Sequence, residues 1–316
     1  MKNSIILGTV LLSALLISSC KKDSSSTTTK PSLSGLSMNS APAYVAIGDE
    51  FSFQADVKSL VASDGSTPTV GLYWQVNGVA KKDTLTKDIS KSNPAFQYKI
   101  DTLGTYNVYC YAFAGADYYN TSTSATFTAV DPKTVIAGRK ITSAQPEVVT
   151  KDNAVWNMLN VNDNSCGLSY RESPVLDAPA GRMYNFTEAL TICASGYHLP
   201  TLAEFKSAFG ETDGSILAGK MMADATFQKE KMWEYFPAVQ ITNEYSFDAI
   251  PLGYVDMTDA FSTYNHYGEY ACYWTADSTD DGKMGKFIYL YANNEKALEG
   301  TGDKNSLYMT VRCVKD

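Results

Sequence analysis

Histidine is scarce in this chain, which has only His198 and His266 among its 316 residues. No second histidine or cysteine lies at ligand spacing from His198, so the sequence indicates neither a metal centre nor a histidine-based active site there. The chain also lacks a glycine-rich phosphate loop and the spaced oxygen ligands of a calcium loop. We therefore expect no catalytic residue, no bound metal and no cofactor, and we do not expect an enzyme.

An excess of basic residues is missing as well. The 26 lysines and arginines are outnumbered by 34 aspartates and glutamates, which gives a formal net charge of -8. Proteins that bind nucleic acid or an anionic bilayer surface by electrostatics carry a positive patch or a positive net charge. This balance argues against nucleic acid as a partner and is typical of a soluble acidic chain.

A hydrophobic run of membrane-spanning length is also missing. The one sustained apolar run, Ile5 to Ile17, would span only about 20 Å as a helix, whereas a bilayer core is ~30 Å thick. Such a run is typical of a signal peptide, here residues 1–19. The sequence Ile17-Ser18-Ser19-Cys20 resembles a bacterial lipobox, which implies cleavage before Cys20 and lipidation of that residue. The alternative is ordinary secretory cleavage beside a chance cysteine.

Residues 20–32 are polar and contain no large apolar side chain, so they are expected to be a flexible tether. Lys21-Lys22-Asp23 resembles the charged export tags on surface lipoproteins of Bacteroidetes-type bacteria. This resemblance implies an outer-membrane protein that is lipid-anchored through Cys20 and faces the cell exterior. Its partners would be the membrane, through that anchor, and a glycan or a surface protein.

Short runs of alternating apolar and polar residues fill positions 33–130, at the spacing of an antiparallel β-sandwich. Tyr106 follows an Asp-Thr-Leu-Gly turn and Trp74 lies in a central run, an arrangement that resembles an immunoglobulin-like, PKD-type domain. Cys110 has no partner within this segment and is expected to be a buried free thiol. The alternating runs are EFSFQADV (50–57), VGLYWQVNG (70–78), AFQYKI (95–100), TYNVYCYAF (105–113) and SATFTAV (124–130).

Residues 131–150 are interpreted as a linker to a second domain, residues 151–316, where helical periodicity appears. In the stretch ASGYHLPTLAEF, Thr201 and Glu204 have the spacing of a capping box that begins a helix, which Gly210 ends. His198 falls in the turn before that helix. We interpret it as part of the turn structure and not as a catalytic residue.

The second domain resembles a known family. The stretch GRMYNFTEALTICASGYHLPTLAEF (181–205) is similar to the signature of the Fibrobacter succinogenes major paralogous domain, with alanine and tyrosine at Ala194 and Tyr197 where the family usually has proline and tryptophan. Further similar segments follow in family order. The resemblance implies a C-type-lectin-like or sulfatase-modifying-factor-like α+β fold for residues 151–316. These further segments are VWNMLNVND (155–163), CGLSY (166–170), LGYVD (252–256), FSTYNHYGEYACYWTAD (261–277) and MTVRCVKD (309–316).

Four of the six cysteines lie in this second domain, and four cysteines allow three pairings. The lectin-like resemblance implies a bridge from the first helix to the last strand, Cys193–Cys313, which leaves Cys166–Cys272 by elimination. Reduced, buried thiols are the alternative for each pair. Formylglycine-generating relatives need a reactive cysteine pair near the C-terminus, and Cys272 and Cys313 lie too far apart in the sequence to supply one.

A binding role is the function that these observations favour. Tyr264, Asn265, His266 and Tyr267 precede an aromatic strand and offer ring faces and hydrogen-bonding groups, so they are our candidate binding residues for a glycan or peptide. The alternative is a polysaccharide-acting enzyme, which would need two carboxylates about 5–10 Å apart in a cleft. The acids considered for that role are Glu204, Glu234, Asp248 and Asp256.

Overall fold

The computed structural model describes residues 30–66, 68–78, 82–87, 95–116, 119–140, 147–234, 239–258 and 263–316. The predicted signal peptide, Cys20 and most of the predicted tether lie outside these residues. Strands dominate the described chain, and its helices are short. None of the helices in these ranges has the length and apolar character needed to cross a membrane.

The N-terminal part, which we call the sandwich, has the strand content that its alternating sequence predicts. Two sheets face each other, one with the order β3-β10-β9-β6-β7 and one with the order β2-β4-β8, and β1 pairs with β5. Strand β3 is parallel to β10, while the other pairings are antiparallel. The strands are β1 (Leu33–Ser34), β2 (Ser37–Met38), β3 (Tyr44–Ala46), β4 (Glu50–Asp56), β5 (Val61–Ala62), β6 (Gly71–Gly78), β7 (Lys82–Lys87), β8 (Ala95–Lys99), β9 (Gly104–Phe113) and β10 (Thr121–Val130).

Aromatic rings fill the space between the two sheets. Trp74 is 1% exposed and packs near Phe53, and Tyr106 stacks on Phe127 with ring centroids 5.2 Å apart. The Tyr106 hydroxyl donates a hydrogen bond to the Thr102 carbonyl at 2.9 Å, as a corner tyrosine does. Cys110 is a buried free thiol, as predicted. The immunoglobulin-like sandwich is therefore confirmed.

In the C-terminal region, residues 131–316, the described residues form five small sheets with long connections between them. The sheet orders are β11-β17-β18, β12-β13-β25-β16, β14-β15, β20-β19-β24 and β21-β22-β23. The strands are β11 (Ile136–Ala137), β12 (Glu147–Val149), β13 (Val155–Asn157), β14 (Leu168–Ser169), β15 (Arg182–Met183), β16 (Tyr197–His198), β17 (Thr226–Phe227), β18 (Glu230–Lys231), β19 (Tyr254–Asp256), β20 (Thr263–Asn265), β21 (Tyr270–Ser278), β22 (Met284–Tyr291), β23 (Leu298–Asp303), β24 (Leu307–Tyr308) and β25 (Val314–Lys315).

Outside the gaps at 141–146, 235–238 and 259–262, four short α-helices accompany these sheets. The longest, α3, begins with the predicted capping box, because Thr201 accepts from the Glu204 amide while Glu204 accepts from the Thr201 amide. Its Phe205 and Phe209 pack against Trp156 of β13, with centroids 4.8 and 5.0 Å apart. The α-helices are α1 (Asp177–Ala180), α2 (Phe186–Ala189), α3 (Leu202–Phe209) and α4 (Ala218–Met221), and 3-10 turns cover Tyr170–Glu172 and Pro174–Leu176.

In the segment 131–150, expected to be a linker, the described residues 131–140 and 147–150 include two strands that pair with strands of the C-terminal region. Strand β11 pairs with β17, and β12 pairs with β13. Val135 is buried in the same apolar cluster as Tyr170 and Leu252. The linker prediction is wrong for these strands because their apolar side chains pack with residues far along the chain.

The cysteines give one confirmed prediction and one correction. Cys193 and Cys313 form the disulfide that the resemblance implied, with their Cα atoms 5.9 Å apart. Cys166 and Cys272 are free thiols, so the second predicted bridge is wrong. The two thiols have different surroundings: Cys166 lies beside Arg182 in a turn, whereas Cys272 points from β21 toward tyrosine side chains.

Candidate functional site

The four candidate binding residues do not form one surface. The Tyr264 side chain points inward, where its hydroxyl donates to the Ser169 carbonyl at 2.8 Å and accepts from the Glu172 amide at 3.1 Å. Asn265 is half-buried on β20, opposite Tyr254 of β19. The Tyr264 hydroxyl therefore helps to position the loop, and Asn265 is partly accessible.

His266 and Tyr267 are exposed but face different neighbours. The His266 ring stacks on Tyr270, with centroids 4.4 Å apart and an interplanar angle of 11°. Tyr267 is 52% exposed and lies against the Arg171 guanidinium, whose carbon is 5.0 Å from the ring centroid. The loop thus borders two separate cavities.

The first cavity, which we call the aromatic groove, lies on the sheet β21-β22-β23 beside β19 and β24. It has a volume of about 310 Å³. Its walls combine tyrosine and phenylalanine rings with a carboxylate, a hydroxyl and a thiol. The lining residues are Tyr254, Asp256, Tyr270, Cys272, Phe287, Tyr289, Gly300, Thr301, Leu307 and Met309.

The period of β22 creates the row of rings in this groove. Side chains alternate along a strand, so Phe287, Tyr289 and Tyr291 share one face while Ile288 and Leu290 point into the core. The Phe287 and Tyr289 centroids are 5.8 Å apart, and the Tyr289 centroid is 5.3 Å from that of Tyr270 on β21. The result is a continuous, half-exposed aromatic surface.

Hydrogen-bonding groups lie beside this aromatic surface. Partial burial raises the pKa of the Tyr254, Tyr270 and Tyr289 hydroxyls, so they stay protonated and can donate at neutral pH. Asp256 accepts from the amide and hydroxyl of Thr258 through one oxygen, Oδ1. The groove therefore combines ring faces, hydroxyl donors and a carboxylate acceptor.

Cys272 lines the groove but is not set up as a nucleophile. It is 1% exposed, and burial raises the pKa of its thiol far above the ordinary value. The thiolate is the reactive form of cysteine, and burial in apolar surroundings suppresses it. Cys272 is thus a small buried apolar side chain beneath the tyrosines.

His198 lies between two carboxylates. Its Nε2 is 2.8 Å from Glu204 Oε1, and its Nδ1 is 2.7 Å from Asp316 Oδ1. Partial burial would lower the pKa of His198, but the bonds to Glu204 and Asp316 outweigh burial and raise it. The other Glu204 oxygen accepts a hydrogen bond from the Thr201 amide at 2.7 Å, so this carboxylate also caps the N-terminus of α3.

The four acids considered for catalysis lie at separate places in the described part of the chain. Glu204 caps α3, and Asp248 is fully buried and accepts from the Lys140 amide at 2.9 Å. Asp256 lines the aromatic groove, whereas Glu234 lines the second cavity near Tyr267. Among the described residues, no group of three or more histidine, cysteine or acidic side chains is arranged to hold a metal ion.

The residues that line the aromatic groove differ from the four candidates named from the sequence. The groove is built mainly from Tyr254, Phe287 and Tyr289, which were not proposed. A usable signal was present in KFIYLY (286–291), where aromatic residues at alternate positions must share one face of a strand. The glycines at 300 and 302, on the neighbouring strand, mark the place where large rings need space.

Comparisons with known proteins cover most of the chain. The family model of the Fibrobacter succinogenes major domain matches residues 118–315, which is more than half of the chain. None of the curated proteins matches it. Among solved structures, the solution structure of the PKD domain from human VPS10 domain-containing receptor SorCS2 is similar at 14% identity, with 40% of this chain and 98% of that one covered and a TM-score of 0.23. The matched range takes in β10 of the sandwich and all of the C-terminal region except Asp316.

Proposed function

The chain belongs to the Fibrobacter succinogenes major domain family, and we propose that it is a non-enzymatic surface lipoprotein that binds a glycan in its aromatic groove. In this proposal Cys20 carries the lipid anchor in the outer membrane, and the chain faces the cell exterior. The sandwich is a spacer domain. The C-terminal region is a second, C-type-lectin-like α+β domain that presents the groove.

The row of aromatic rings is the observation that carries the proposal. Sugar rings have apolar C–H faces, which pack on aromatic rings, and hydroxyl edges, which need hydrogen-bond partners. The groove offers Tyr270, Phe287 and Tyr289 for the faces and Asp256 for the edges. Its volume of about 310 Å³ suits one or two sugar units, at the lower end of the range for ligand pockets.

A glycan is favoured over a protein partner because of the shape and polarity of the site. The groove is small, and carboxylate and hydroxyl groups lie close to its rings. A stable protein interface usually buries about 800 Å² on each partner, with a larger apolar centre. Sequence order also supports display, because the sandwich stands between the predicted anchor and the groove.

The test is a glycan array probed with the detergent-solubilised full-length chain, in parallel with a Tyr289→Ala variant. We expect binding to one class of glycan, and a loss of about ten-fold or more in the variant, because a ring that stacks on the ligand is removed. Tyr109→Ala is the matched control, since Tyr109 is a half-buried tyrosine on the outer face of the sandwich. An array that stays blank, or equal losses in both variants, would contradict the proposal.

A further inference from the structure

We propose that the second cavity, which we call the Arg171 pocket, binds a carboxylate group. It has a volume of about 240 Å³ and lies where β3 of the sandwich meets the hairpin β17–β18. It shares no lining residue with the aromatic groove, so this inference stands apart from the glycan proposal. Its principal walls are Tyr44, Tyr170, Arg171, Phe227, Glu234 and Tyr267.

Aromatic rings surround the guanidinium of Arg171. Its carbon lies 5.0 Å from the Tyr267 centroid, and the centroids of Tyr170, Phe227 and Tyr44 follow at 5.4, 5.5 and 5.9 Å. Its Nη1 donates to the Tyr44 hydroxyl at 2.7 Å. Rings at these distances stabilise a cation through their faces but do not neutralise its charge.

No carboxylate pairs directly with Arg171 in the part of the chain that the structure describes, although Glu230 and Glu234 line the same pocket. The polar partners of Arg171 are the neutral hydroxyls of Tyr44 and Tyr170. Arg182, by contrast, meets Asp177 at 2.6 Å. A guanidinium has five N–H donors, so two hydroxyl partners leave donors for a ligand.

The backbone at Arg171 lies in a region that residues other than glycine seldom adopt. Arg171 and Glu172 have φ angles of 52° and 53°. Residues other than glycine cost about 1–3 kcal/mol in such conformations, and they persist where the surroundings fix them. The conformation of Arg171 is thus held by its surroundings, which is the preorganisation that a binding group needs.

The surrounding charges select a carboxylate over a phosphate. Glu230 and Glu234 also line the pocket, and so does Lys231, whose ammonium pairs with Asp224 at 3.3 Å; the two carboxylates would therefore repel a group with two negative charges more strongly than a group with one. A single guanidinium balances one charge. A planar carboxylate also fits between ring faces and can accept two parallel N–H bonds from the guanidinium.

The test uses the full chain and glucuronate, a sugar carboxylate, with glucose as its neutral counterpart. Binding is followed by saturation-transfer NMR, with inorganic phosphate as a competitor. We expect glucuronate to bind, glucose not to bind at this pocket, and Arg171→Gln to weaken glucuronate about ten-fold or more, because a charge-assisted hydrogen bond is lost. Phosphate at equal concentration should not displace glucuronate.

Lys133→Gln is the matched control, because it also removes one positive charge but lies at an exposed position outside the pocket lining. It should retain glucuronate binding. If Arg171→Gln does not fold, Tyr267→Leu replaces it, since Tyr267 is half exposed and its loss should still weaken binding several-fold. The proposal is overturned if wild-type chain does not bind glucuronate, if phosphate competes equally, or if the folded pocket variant binds as tightly as wild type.

Discussion

Gly300 leaves the space that the Phe287 ring occupies: a Cβ atom on Gly300 would lie 2.4 Å from Cζ of that ring. The two residues are directly opposite each other on β23 and β22. Because no side chain projects from Gly300, the Phe287 ring lies flat over the neighbouring strand and forms part of the groove floor. The glycine is therefore a component of the aromatic groove.

Gly300→Ala should weaken glycan binding several-fold without unfolding the protein. The added methyl group displaces the far end of the Phe287 ring, and such overpacking costs about 1–3 kcal/mol of stability. Glycan affinity and urea denaturation are measured on the same variant. Glu299→Ala is the control, because Glu299 lies on the same strand and is exposed; a loss of affinity there equal to that of Gly300→Ala would contradict the role of the glycine.

Cys193→Ser should lower the free energy of unfolding by about 2–5 kcal/mol, because the disulfide to Cys313 closes a long loop of the unfolded chain. Urea denaturation under oxidising conditions gives the value. Cys166→Ser is the matched control, since Cys166 is a free, half-buried cysteine of the same region, and it should change stability little. If Cys166→Ser is destabilised and Cys193→Ser is not, the assignment of the disulfide to Cys193 and Cys313 is contradicted.

The contacts of His198 with the carboxylates of Glu204 and Asp316 should make the free energy of unfolding depend on pH. The pKa of His198 is raised in the folded state, so its contribution is fully present below the unfolded value of about 6.5 and is lost as pH rises through the folded pKa. Thermal melts of wild type and His198→Gln should therefore differ most at pH 5–6 and converge at alkaline pH. Asp316→Asn, which removes one of the two partners, should reduce that difference. A difference in melting temperature between wild type and His198→Gln that stays constant across pH would contradict a stabilising role for these contacts.

Cys20→Ala should release the protein from the membrane fraction when the full chain is expressed in a bacterium that processes lipoproteins. The lipid is the only anchor proposed, and stable anchoring requires more than one acyl chain. Incorporation of a clickable palmitate analogue, followed by fractionation, measures the effect. Labelling of the Cys20→Ala chain at wild-type level would show that the lipobox interpretation is wrong.

Local signals in the sequence predicted local structure well. The spacing of Thr201 and Glu204 predicted where α3 begins, and the alternating pattern around Trp74 and Tyr106 predicted the sandwich. Each of these depends on neighbours within one strand or one helical turn. The Cys193–Cys313 bridge came from a family resemblance, because no local pattern specifies a pair so far apart.

The aromatic groove was harder to predict because it is assembled from distant segments. Tyr254, Tyr270 and Tyr289 come from three strands, and only their pairing brings the rings together. Tyr264 resembled an exposed loop residue in the sequence but points toward Ser169, about a hundred positions earlier. Pairing of this kind is set by long-range packing, which hydrophobic periodicity within one segment does not reveal.

Strand β25 lies between β13 and β16, and the adjacent Cys313 closes the disulfide. Trp156 and His198 both pair with Val314. Two strands from the earlier part of the region therefore need a strand near the end of the chain to complete their sheet. During synthesis, the C-terminal region therefore cannot finish folding until residues near 314 have emerged from the ribosome. The last strand of the sandwich ends at Val130, so the sandwich can fold before then, and a folded sandwich would precede an unfinished C-terminal region.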